Sequence, residues 1–77
     1  MHEAIIDELL SFAVRNGLRF DYGFDDKSKS YVFTLRGQTW GYSREISQEQ
    51  LELFNGPVVY FAHDIINRVK SKVPHLF

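Results

Sequence analysis

Ile6, Leu9, Leu10 and Ala13 fall at the i, i+3, i+4, i+7 spacing of one helical face, and Ile5 and Phe12 widen that stripe. The spacing predicts a helix over residues 2–16. Glu3, Asp7 and Glu8 lie toward its start and Arg15 near its end, the polarity that a helix dipole favours. Asn16-Gly17 then supplies the left-handed residue on which helices commonly stop.

The period changes from 3.6 to two at Leu18. Over 18–24, Leu18, Phe20, Tyr22 and Phe24 alternate with Arg19, Asp21 and Gly23, which predicts a strand with one buried face. Asp25-Asp26-Lys27-Ser28-Lys29-Ser30 reads as a polar loop. Tyr31, Phe33 and Leu35 alternate in a second strand over 31–36. Gly37 marks a tight turn, and Trp40 and Tyr42 share one face of a third strand over 38–45. Such short connections leave no room for parallel crossovers, so the strands form an antiparallel meander.

Ser47-Gln48-Glu49-Gln50 fits a capping box and opens a short helix over 48–54. Asn55-Gly56-Pro57 interrupts it. Proline is pre-shaped for a first helical position, so a new helix runs from Pro57 to about Lys72. Its stripe is Val58, Ala62, Ile65, Val69 and Val73, with Val59 and Ile66 beside them, and Pro74 stops it. The whole is one domain over 1–77, a two-layer α+β fold of order α-β-β-β-α-α. The N- and C-terminal helices cover one face of the three-stranded antiparallel meander. The expected core joins both helical stripes to Leu18, Phe20, Tyr22, Phe24, Tyr31, Phe33, Leu35, Trp40 and Tyr42. Each large side chain buried there contributes roughly 1.5–3 kcal/mol before entropy.

Composition narrows the chemistry. The 77 residues carry a net charge of −1 and no cysteine, which excludes a disulfide scaffold, a cysteine-ligated zinc and a cysteine nucleophile. A cytoplasmic, reducing location is expected. No apolar run approaches the roughly 18 residues of a membrane span, and the acidic opening His2-Glu3 resembles neither a signal nor a transit peptide. No serine lies in a Gly-x-Ser-x-Gly elbow, and no glycine cluster precedes a helix as a phosphate cradle. His63-Asp64 is the one adjacent histidine–acid pair, but helical neighbours diverge by about 100°. Asp25 and Asp26 lack the glycine and terminal glutamate of a calcium loop, and Lys27 and Lys29 would repel a cation. No catalytic activity, metal or cofactor is expected.

The order α-β-β-β-α is also that of double-stranded RNA-binding modules. Those approach phosphates with a lysine-rich start to the last helix, where this chain has Val58-Val59-Tyr60-Phe61. Arg68, Lys70 and Lys72 form the basic cluster on which a weak nucleic-acid-binding alternative rests, joined by Arg15 or by Lys27 and Lys29. Three cations at a helix C-terminus also complement its dipole.

The favoured expectation is a small non-catalytic protein-interaction domain: an adaptor, inhibitor or accessory factor. Short motif-free chains of that kind are common among phage and mobile-element genes. The candidate partner-binding residues are Phe54, Tyr60 and Phe61, together with the apolar Leu76 and Phe77, which either tuck back or present a peptide. The partner is another protein, or a second copy paired through a sheet edge or a helix face, so that two three-stranded sheets join into one.

Overall fold

The computed structural model describes residues 2–77. Its elements run α1 (Glu3–Asn16), β1 (Arg19–Asp25), β2 (Ser30–Arg36), β3 (Gly41–Ser47), α2 (Gln48–Leu53) and α3 (Val59–Lys72), closed by a 3₁₀ turn over Pro74–Leu76. The mixed α+β order is the one that the alternating periods predict, with no end displaced by more than three residues. Gly17 ends α1 at φ 66°, and the Leu18 N–H donates to the Ala13 carbonyl at 2.9 Å.

The sheet is an open antiparallel meander in the order β1-β2-β3. Register places Phe20 against Leu35, Tyr22 against Phe33 and Phe24 against Tyr31. On the far side, Tyr31 opposes Ile46, Phe33 opposes Arg44 and Leu35 opposes Tyr42. All these positions look toward the helices, because directly opposed residues share a face. The other face is mostly polar, with Val32 its apolar member, and Thr34 Oγ1 meets Ser43 Oγ there at 2.9 Å.

Two turns set this register. At the first, Asp25 Oδ1 accepts from the Lys27 N–H at 3.0 Å, and Lys29 takes the left-handed φ of 53°. At the second, the Gly37 N–H donates to the Trp40 carbonyl at 3.0 Å. The Trp40 indole lies on Gly37: a Cβ there would sit 2.6 Å from the indole Cε2. Glycine is required at 37 by this close approach.

The core joins Ile5, Leu9, Phe12 and Ala13 of α1 to Phe33, Leu35 and Ile46 of the sheet and to the α3 stripe Ala62, Ile65, Ile66 and Val69. Several expectations are corrected. Ile5 and Phe12 are central to the α1 stripe, whereas Leu10 is 48% exposed. Ile46 is a core residue, because β3 runs on to Ser47, while Trp40 precedes the strand and packs from the turn. Tyr22 and Phe24 share the parity of Phe20 but are 55% and 42% exposed. The lid crosses the sheet diagonally. The end of α1 leads directly into β1, while His2 at its start stacks on Tyr31 of β2 at 4.6 Å. That diagonal leaves the second half of β1 uncovered.

Candidate functional site

Tertiary structure separates the candidate partner residues. Phe61 is 8% exposed and packs in the core, with only the edge of its ring reaching the groove beside Phe54 and Leu53. Phe54 is half-buried and lies between the Phe61 ring at 4.7 Å and the Tyr60 ring at 5.5 Å. Tyr60 remains exposed at the rim. The tail folds back: the Leu76 N–H donates to the Val73 carbonyl at 3.0 Å, and Phe77 stacks on Phe12 at 5.5 Å. Leu76 and Phe77 keep part of their surface in solvent.

The basic cluster is largely engaged within the chain. Arg68 Nε donates to Asp64 Oδ2 at 3.1 Å, and Lys70 Nζ lies 5.9 Å from the centre of the Phe12 ring, a cation–π contact. Lys72 projects from the last turn of α3.

Asp64 and His63 diverge as helical geometry requires. Asp64 turns toward the sheet and accepts from Arg44 Nη1 at 2.8 Å, while Arg68 approaches the same oxygen. The Arg44 guanidinium holds the Asp64 carboxyl below the usual carboxylate range; burial opposes this and Arg68 assists it. The pair ties β3 to α3. Register places Arg44 opposite Phe33 on the helix side, where a cation calls for a carboxylate opposite. His63 faces Glu8 of α1, Nε2 to Oε1 3.9 Å, on an exposed seam. No three acidic or histidine side chains among the described residues converge on a metal position.

The surface that sequence reasoning missed is at the β1 edge. Leu10 and Val14 are 48% and 73% exposed, and Ile6 before them is half-buried. The three recur every four residues and so lie on one flank of α1. Glu8 and Phe12, which reach His63 and Lys70 of α3, mark the opposite flank. The apolar flank therefore faces away from α3, over the free edge of β1, where Tyr22 and Phe24 are bare. Phe20 stacks on Tyr22 at 6.0 Å and Phe24 meets Tyr31 at 4.9 Å, so rings on this face gather in two pairs along the edge. An open groove of about 500 Å³ lies at the second half of β1, lined by His2, Tyr22, Phe24 and Tyr31 among others. The available signal was the spacing of Ile6, Leu10 and Val14, a second stripe beside the core stripe.

No helix of the described residues is long and apolar enough to cross a membrane. Comparison with known proteins finds no matching family model, curated relative or solved structure.

Proposed function

We propose that this chain is a protein-binding domain without catalytic activity, acting as an adaptor, inhibitor or accessory factor through the flank formed by α1 and β1. One observation carries the reading: Leu10 and Val14 of α1 and Tyr22 and Phe24 of β1 all leave large apolar side chains in solvent, on the helix flank and the strand edge that lie away from α3. Contiguous apolar surface with an aromatic centre is characteristic of interfaces. Tyr60, Leu76 and Phe77 are as exposed as Tyr22 and Phe24 and remain secondary candidates on two separate sites, the start of α3 and the folded-back tail, while Phe54 is half-buried between the Tyr60 and Phe61 rings. The absence of cysteine supports placing the activity in a reducing compartment, the cytoplasm. The nucleic-acid alternative through Arg68, Lys70 and Lys72 is weaker, since two of the three already have partners in the chain.

The test is affinity capture with the wild-type chain, Leu10→Asp and Leu53→Asp, the last changing an exposed leucine of α2. Leu10→Asp loses the captured proteins, its own second copy included, and Leu53→Asp keeps them. Equal capture by Leu10→Asp and wild type would overturn the reading.

A further inference from the structure

The charge pattern along β1 points to the occupant of this flank. We infer that it is a second copy of this chain, with β1 pairing antiparallel to its counterpart about a twofold axis at Tyr22. The inference rests on the binding role proposed for the flank and adds the partner and the register.

β1 and β3 both have a free side, since the order is β1-β2-β3. β3 carries Arg44 on its helix-side face, and an inward charge discourages edge pairing. β1 presents only rings on that face, Phe20, Tyr22 and Phe24, and two of them are exposed.

A twofold perpendicular to the sheet keeps helix-side residues opposite helix-side residues, so only registers that preserve parity are allowed. Centring on Asp21 sets that carboxylate against its own copy. Centring on Gly23 sets Asp21 against Asp25. Centring on Tyr22 sets Arg19 against Asp25, Phe20 against Phe24, and Asp21 against Gly23. Of these three registers only the last joins opposite charges and opposes no like ones; centring on Phe20 also sets Arg19 against Asp21, but it overlaps only residues 19–21, whereas centring on Tyr22 pairs the full strand Arg19–Asp25. The Tyr22-centred register also sets ring against ring across the axis, Tyr22 on its own copy and Phe20 on Phe24, where ring pairs in opposed strands add to stability.

Arg19 gains most from this arrangement. In its own sheet it lies directly opposite Arg36, and neither guanidinium has a carboxylate partner among the described residues. The counterpart's Asp25 would supply one. Above the joined strands, the two apolar flanks of α1 face each other across the axis and cover Tyr22 and Phe24. The two three-stranded sheets become one of six strands, with helices on a single face.

Sedimentation equilibrium, with circular dichroism to confirm folding, tests the inference by charge reversal. Wild type sediments as a dimer. Arg19→Asp and Asp25→Arg each place like charges in opposition and sediment as monomers. Mixing those two variants restores a dimer. The introduced carboxylate of one chain then meets the introduced guanidinium of the other, and the native Arg19 and Asp25 that remain meet across the same axis. Tyr22→Lys sets two ammonium groups together on the axis and is monomeric, which keeps the test decisive should Asp25→Arg disturb its turn. A wild-type monomer at high protein concentration overturns the inference. A dimer that ignores all three substitutions overturns it equally. A monomer whose capture of other proteins is lost with Leu10→Asp would sink this pairing while leaving the binding role intact.

Discussion

Trp40 and Gly37 show how one missing side chain shapes a turn. The indole needs the space that a Cβ at 37 would occupy, and its Nε1 is buried there without an acceptor among the described residues. Gly37→Ala forces the ring outward and is expected to destabilise the fold by about 1–3 kcal/mol, the range for overpacking. Gly41→Ala is the control. Its Cβ would meet only ordinary contacts, the nearest being Arg36 Cγ at 3.8 Å. Thermal melts separate the two: a loss of 1 kcal/mol lowers the midpoint by roughly 4–8 °C in a domain of this size. Equal midpoints for both variants would remove the steric account. The glycine was legible in the sequence as a turn residue, but the ring that demands it was not, because contact between positions 37 and 40 depends on how the indole folds back.

At the scale of elements, the junction between β3 and α2 rests on a complete capping box. Ser47 Oγ accepts from the Gln50 N–H at 3.0 Å, and the Ser47 N–H donates to Gln50 Oε1 at 2.9 Å. Ser47→Ala should cost about 1 kcal/mol, and Ser47→Asp should retain most of the cap. Urea midpoints with an unchanged slope check this; a shifted slope would mean that the cap alters more than local stability. This box was readable from four residues, because every partner lies within one turn. Strand faces were equally readable: Phe20, Phe33 and Leu35 sit on the helix side as alternation requires. Coverage was not. Alternation assigns Tyr22 to the same face as Phe20, but only the crossing direction of α1 decides which of the two is sheltered. For the same reason the partner candidates divided. Phe61 and Tyr60 are adjacent in sequence, and the rotation of α3 buries one and exposes the other.

Across the whole molecule, the Arg44–Asp64 pair is an ionic link between sheet and lid. Asp64 has a depressed pKa in the folded chain, so the unfolded chain binds its proton more readily. The stabilisation is present above the unfolded value near 4 and is lost as pH falls through the lower folded value. Asp64→Asn should therefore lower stability by about 1 kcal/mol at pH 7, the upper end for partly solvated pairs. Its deficit should shrink toward zero near pH 2. Melting curves of both proteins at the two pH values provide the check, and a constant difference would show that the pair contributes through shape and not charge. The other long-range union is that of α1 with α3, whose core stripes come from opposite thirds of the chain. A nascent polypeptide leaves the ribosome with α1 first, and at roughly 5–20 residues per second the remainder follows only after several seconds. Throughout that interval Ile5, Leu9 and Phe12 have no lid neighbour, and the hairpins must close beneath a helix still awaiting its mate. Slowed translation ahead of α3 would therefore prolong the stage at which this protein is most vulnerable to proteases and to sticking to its own kind.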